Sequence, residues 1–423
     1  MVYFIPYNGM VFFMFKRNLF SRLLESMSTS FVVLLTGARQ TGKTTLMERI
    51  VKEKGYTYST FDDLRTLAAA KEDPIGFISD LKKPTILDEV QRVPEVFLPI
   101  KQDIDKHKKA GRYILTGSAN PLLVPHLSDS LAGRMEILNL WPLSQGEFRG
   151  IKEKFIDRVF SDSFDNFPCE SLDKQALIKT LIHGGYPAIH SLDSETKINS
   201  WCSSYLTTIL QKDVQDLAKI EGLAHLPNLM SLLASRVSGL LNVAEISRTS
   251  GIPTTTLHRY LQLLQTLFLV ILEPAWSANL SKRLSRSPKT YLIDTGLLAY
   301  LIGANQNRLT ADTKLNGGFL ENFVVGELNK QATWCDLRVR IFHYRTVQGN
   351  FEVDIVLEDA SGHIVGIEVK SSETIHAGDF KGLKHLQEAV GNKFVRGLLL
   401  YPGPRLPFGK NLYALPISSL WAE

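Results

Sequence analysis

The sequence predicts an α/β protein: a parallel sheet with helices on both faces, followed by a helical segment and then a second, smaller α/β domain. Three observations predict it. Short apolar runs rich in β-branched residues alternate with helical patterns over the first 150 residues, as strand-helix-strand units require. One of those runs, residues 31–36 (FVVLLT), passes directly into a glycine-rich turn, Gly37-Ala38-Arg39-Gln40-Thr41-Gly42-Lys43-Thr44, and then into a helical pattern. Near the other end, a helix and two strands set acidic residues and a lysine at matched positions. The 423 residues are 44% hydrophobic and 22% charged, enough apolar material for several cores, which excludes disordered, collagen-like and multispanning membrane classes.

Residues 1–15 are apolar but are interrupted by Pro6, Asn8 and Gly9, and they fall short of the ~20 residues that a membrane-spanning helix needs. Positive charge follows this run, at Lys16 and Arg17, instead of preceding it, so it does not read as a secretory leader. Residues 1–13 are expected to be an extension ahead of a start at Met14, with a membrane-surface anchor as the alternative and no stable membrane span. Cys169, Cys202 and Cys335 lie far apart without paired spacing, which points away from disulfides or structural zinc and toward a reducing cytoplasm.

The turn at residues 37–44 is a complete Walker A motif in its strand-to-helix setting. Gly37 and Gly42 let backbone N–H groups face phosphate oxygens, Lys43 reaches the β and γ phosphates, and the hydroxyl of Thr44, next to Thr45, is offered to Mg²⁺. ATP and Mg²⁺ are therefore the expected cofactors. A strand candidate at residues 56–61 leads to a second, Thr85-Ile86-Leu87, which ends in Asp88 and Glu89. There the aspartate can hold Mg²⁺ and the glutamate can polarise the attacking water. A further strand from Arg112 ends in Thr116-Gly-Ser118-Ala-Asn120, whose polar residues either position water at the γ phosphate or cap the following loop. Arg134 precedes a last strand, residues 135–140, and either contacts a γ phosphate, in a neighbouring subunit of a homo-oligomer, or makes a surface ion pair.

Residues 37–45, the TILDE stretch, the LTGSAN stretch, and LAGR followed by WPLSQGEF at 141–148 together resemble the AAA-type ATPases of bacteria and archaea, in particular a group with a carboxyl-terminal domain of undefined function. The resemblance implies ATP binding with hydrolysis. It sets the expected divisions at 14–150 for the ATPase core, 151–222 for a helical lid or connector, 223–310 for a winged helix-turn-helix, and 311–423 for the last domain.

The net charge of +5 is uneven: residues 1–222 sum to +1, residues 223–310 to +5 and residues 311–423 to −1. Within the basic segment, a short helix from Val243 is stopped by Gly251, and a second helix begins at Thr254. Leu257, Tyr260, Leu261 and Leu264 fall on one face of that second helix and Thr254, Thr255, His258 and Arg259 on the other. Strand-like segments at 268–272 and 289–293 complete the order of a winged helix-turn-helix. On this reading Thr254, Thr255 and Arg259 approach DNA bases, while Lys282, Arg283, Arg286 and Lys289 contact phosphates from the wing. The alternative is a module that contacts protein. Nucleic acid, DNA ahead of RNA, is the expected partner.

In the last segment, residues 319–330 read as a helix with Glu321 in its first turn. A strand follows in which Phe351, Val353, Ile355 and Leu357 point one way and Glu352, Asp354 and Glu358 the other, and then a strand carrying Glu368 and Lys370. This pattern resembles the PD-(D/E)xK, restriction-endonuclease-like nucleases, although no proline precedes Asp354. The resemblance implies that Asp354 and Glu368 hold a divalent metal, that Lys370 activates water and that Glu321 supports the metal. The chemistry fits, since paired carboxylates gather a cation beside a scissile phosphate and an ammonium stabilises developing charge. A salt-bridged strand surface is the alternative. The expected function is ATP hydrolysis coupled to DNA binding, with metal-dependent cleavage by the last domain. The rival is a regulatory ATPase whose last domain only binds.

Overall fold

The computed structural model describes residues 3–7, 10–119, 131–162, 164, 172–214 and 223–422. The amino-terminal apolar run forms an antiparallel hairpin of β1 (Tyr3–Tyr7) and β2 (Met10–Met14), with Tyr3 opposite Met14.

The next five strands are β3 (Val32–Thr36), β4 (Thr57–Thr60), β5 (Thr85–Asp88), β6 (Tyr113–Gly117) and β7 (Met135–Asn139). All pair in parallel, in the order β4-β5-β6-β3-β7. Because strand β6 lies between the glycine-turn strand and the acidic strand, its polar carboxyl end separates the two motifs. Strand β3 is buried on both faces. Val33 and Leu35 pack with residues of helices Leu19–Thr29 and Lys43–Lys54, while Val32 and Leu34 pack with residues of helix Phe97–His107. Such burial requires a continuous apolar run in place of alternation, and each fully buried Val or Leu contributes ~1.5–3 kcal/mol.

Helices Gln145–Arg149, Phe155–Phe160, Lys174–His183 and Glu195–Thr208 follow. The last is capped at its start by Ser194, whose side chain accepts from the Lys197 N–H. Helix Val243–Ser250 ends at Gly251, which sits at φ 71, and helix Thr254–Thr266 leads into an antiparallel pair, β8 (Val270–Glu273) and β9 (Lys289–Leu292).

Helix Thr313–Gln331 is longer than expected, so Glu321 lies about two turns in and not in the first turn. The final sheet comprises β10 (Val339–Arg345), β11 (Glu352–Asp359), β12 (Ile364–Val369), β13 (Phe394–Tyr401), β14 (Leu406–Pro407) and β15 (Leu412–Pro416), in the order β10-β11-β12-β13-β15-β14. Strands β10, β11 and β12 run antiparallel, and β13 joins β12 in parallel after helix Lys381–Val390. The expected single face of β11 is not observed. Tyr344 pairs with Val353 but Phe342 pairs with Val356, so β11 carries one extra residue at a bulge that includes Asp354. Val353 therefore packs with Leu383 and Leu386, whereas Ile355 and Leu357 join the core beneath helix Thr313–Gln331.

Candidate nucleotide site and carboxylate cluster

Two glycines shape the phosphate-binding turn. Gly37 has φ 150, and a Cβ there would collide with the Leu140 carbonyl, so the turn packs directly against the end of β7. Gly42, at φ 96, is the left-handed residue from which helix Lys43–Lys54 starts, aiming its free N–H groups into the turn. Lys43 Nζ donates to the carbonyls of Gly37 (2.8 Å) and Ala38 (2.9 Å), and Thr41 Oγ1 also donates to Ala38 O. Thr44 and Thr45 are exposed on the first helical turn, and Arg39 and Gln40 form the tip. That tip is roofed by helix Glu195–Thr208: Trp201 Nε1 donates to Gln40 Oε1 (3.1 Å) and the Tyr205 hydroxyl to Arg39 O (3.3 Å).

Sequence reasoning missed Arg17. Its buried guanidinium donates to Thr41 O (2.5 Å), Trp141 O (2.7 Å) and Glu147 Oε1 (3.0 Å), tying the turn to the 141–148 stretch. The readable signal was Ser144-x-x-Glu147, a capping box that fixes Glu147 in place.

Strand β5 delivers Asp88, buried, which accepts hydrogen bonds from the Tyr58 hydroxyl (2.5 Å) and from Thr116 Oγ1. Burial, followed by the adjacent Asp88 carboxylate, pushes the Tyr58 hydroxyl up from its ordinary pKa of 10, so it stays a donor. Glu89 sits at φ 58, ψ 45, a left-handed conformation held against strain by its surroundings. Its carboxylate accepts from Ser118 Oγ (3.2 Å) and from Gln91 Nε2, which also donates to Ser118 (3.1 Å). Thr116 and Ser118 thus orient the two acids from the intervening strand. Asn120 lies outside the described residues. Arg134 Nε donates to Asp105 (2.7 Å) in a partly exposed ion pair.

On helix Thr254–Thr266, Leu257, Tyr260, Leu261 and Leu264 are buried while Thr254, Thr255, His258 and Arg259 are exposed. Lys282 is also exposed. The other basic residues of this segment depart from expectation, because they contact the last domain. Arg283 makes a two-pronged contact with Glu358 (2.7 Å to each oxygen), and Arg286 Nη1 donates to Arg345 O (2.9 Å). Lys289 enters the carboxylate cluster itself. Its Nζ lies 2.9 Å from Glu321, 2.8 Å from Glu352 and 3.0 Å from Asp354, with the side chain 3% exposed. Burial alone would lower the lysine pKa, but Asp354, Glu321 and Glu352 outweigh it and raise the value well above 10.5.

Glu321 also accepts from the Tyr291 hydroxyl (2.6 Å), and burial, then Asp354, pushes its carboxyl up to about 7. Lys370 pairs with Glu368 Oε1 (3.1 Å), and Asp354 Oδ2 accepts from the Val369 N–H (3.0 Å). Asp354, Glu368, Lys370 and Glu321 are thereby brought together. The divalent metal implied for them does not fit this arrangement: among the described residues no group of three His, Cys, Asp or Glu side chains has metal-holding geometry.

A parallel sheet in this order, with a glycine turn leaving one strand and paired acids ending another, defines a P-loop ATPase of the AAA type. Family models match accordingly: an AAA domain at residues 29–149, a domain of unknown function (DUF8612) at 174–308 and a domain of unknown function (DUF4143) at 316–420. An uncharacterized protein of Mycobacterium tuberculosis is 30% identical over 409 residues, covering 96% of this chain and 84% of its own. The chain belongs to that family of AAA-domain proteins. An uncharacterized protein of Methanocaldococcus jannaschii is 22% identical over 363 residues, covering 81% of this chain and 76% of its own. Among solved structures, a Walker-type ATPase of Pyrococcus abyssi is similar at TM-score 0.41 and 14% identity, over 68% of this chain and 96% of its own. The RuvB Holliday junction branch migration motor of Thermotoga maritima gives TM-score 0.31 and 18% identity, over 61% and 89%. The family assignment rests on the family models and sequence relatives, not on these structural likenesses.

Proposed function

We propose that the protein is a Mg²⁺-dependent ATP hydrolase that couples turnover to contact with nucleic acid, DNA ahead of RNA. The observation that supports this most directly is the convergence of the 37–44 turn, Asp88 and Glu89 at one sheet edge, with Thr116 and Ser118 between them. Backbone N–H groups of the turn and the Lys43 ammonium bind the phosphates. Thr44 and Asp88 hold Mg²⁺, which neutralises charge on the phosphates when bound. Glu89 orients and activates the attacking water. Arg134 reaches a γ phosphate in a neighbouring copy of a homo-oligomer, exchanging Asp105 for it.

The nucleic-acid face is the exposed side of helix Thr254–Thr266, with Thr254, Thr255 and Arg259, extended by Lys282. The winged-helix reading of residues 223–310 is supported by the two helices meeting at Gly251 and the antiparallel β8–β9 pair that follows. Compartment follows the same reading: Cys202 and Cys335 are free thiols, suited to a reducing cytoplasm, and no described helix is long and apolar enough to cross a membrane. A second reading, nucleic-acid cleavage at Asp354, Glu368 and Lys370, is favoured by the Lys370–Glu368 pair beside Asp354. Lys289 within the cluster favours its rival, a terminal domain that binds without cutting.

The test is phosphate release from ATP with and without duplex DNA, single-stranded DNA and RNA. Turnover should require Mg²⁺, rise with duplex DNA, and vanish with nucleotide binding in Lys43→Ala. Absence of hydrolysis under every condition would overturn the proposal, and turnover indifferent to all three nucleic acids would remove its second half.

A further inference from the structure

Three carboxylates from two elements converge on a single ammonium that belongs to neither. Glu321 comes from helix Thr313–Gln331, Glu352 and Asp354 from β11, and Lys289 from the wing strand β9. Distances of 2.8 to 3.0 Å to three oxygens place Nζ at their point of convergence. Asp354 Oδ2 accepts from the Val369 N–H, and Oδ1 accepts from Lys289 Nζ. A divalent ion about 2.1 Å from Asp354 Oδ1 and Glu321 Oε1 would need the space the ammonium fills. Glu368 keeps a buried Oε2 with no hydrogen-bond partner.

Lys289 is not a surface side chain that swings freely. Its strand is clamped to helix Thr313–Gln331 through Asn322, which accepts from Leu292 N (2.8 Å) and donates to Leu292 O (3.0 Å). Tyr291, two residues along, donates to Glu321.

We propose that Lys289 is the resident cation of this cluster and bars divalent metal from it while β9 is docked on helix Thr313–Gln331. Loss of the ammonium opens the cluster to metal. This rests on reading Glu321, Asp354 and Glu368 as metal ligands.

The test is direct Mn²⁺ binding to the full chain without nucleotide, in a Lys43→Ala, Asp88→Asn background that disables the nucleotide site. Lys289→Met should gain one Mn²⁺ site, tighter than anything in the parent by about tenfold or more, the least expected from removing an adjacent like charge at a buried site. Adding Asp354→Asn should abolish the gain, and Lys289→Arg should show none. The proposal falls if the parent already binds Mn²⁺ in an Asp354-dependent way, or if folded Lys289→Met gains no site. Should Lys289→Met not fold, the parent itself decides: Fe²⁺-directed backbone cleavage should spare the chain near Asp354 and Glu368, and cuts there would overturn the proposal. The cleavage reading fails separately: a Lys289→Met protein that binds Mn²⁺ but cuts no nucleic acid would end that reading and leave the exclusion of metal by Lys289 standing.

Discussion

Glu358 illustrates how single residues in this protein are fixed by partners remote in sequence. Burial raises its pKa, but hydrogen bonds from Arg283, Trp276 and Arg340 outweigh that and bring the carboxyl from 4.5 down to about 2. A carboxyl depressed by folding stabilises the native state above its unfolded value and loses that contribution as pH falls through the folded one. Thermal unfolding followed from neutral pH downward should therefore show the parent losing stability between pH 4.5 and about 2. Glu358→Gln should start less stable and show a flatter profile in that window; an unchanged slope would mean the carboxylate is not held this way. Residues of this kind were illegible in the sequence. Gly37, Gly42, Lys43, Asp88 and Glu89 could be read because phosphate chemistry demands those types at fixed, nearby positions. Arg17 acts through Glu147 and Thr41, and Tyr58 through Asp88, contacts that no local spacing announces.

At the scale of elements, the inner ATPase strands β3, β5 and β6 were legible because they are buried on both faces and bounded by turn residues. The terminal sheet was less so. Alternation placed Val353 and Ile355 on one face of β11, but the bulge that includes Asp354 reverses the phase between them and turns the aspartate toward Glu321. The basic segment at 282–289 misled for a different reason: a basic composition suggests phosphate contact, and only the fold reveals that Arg283 and Lys289 have acidic partners from the last domain. This separates two classes of substitution. Arg259→Ala, on the exposed face, should weaken duplex DNA binding and reduce the salt slope by about one. Arg283→Ala should instead lower thermal stability, by about 2 kcal/mol for a largely buried two-pronged pair, with little change in salt slope. Equal effects on salt slope would refute the inward placement.

Across the whole molecule, one helix joins the parts. Glu327 accepts from the Gln145 N–H (2.9 Å) and from Lys330 (2.7 Å), docking helix Thr313–Gln331 on the stretch whose Glu147 holds Arg17 against the phosphate turn. The same helix presents Glu321 to Lys289 and clamps β9 through Asn322. ATPase core, strand β9 and carboxylate cluster thus all contact one helix. All of this depends on the core being a hydrolase with Glu89 as its water-activating group. The most direct test is steady-state phosphate release alongside nucleotide affinity for the parent and Glu89→Gln. Glu89→Gln should bind ATP as the parent does, with turnover lowered ~10²-fold or more, the usual worth of a positioned general base. Undiminished turnover in Glu89→Gln would contradict it.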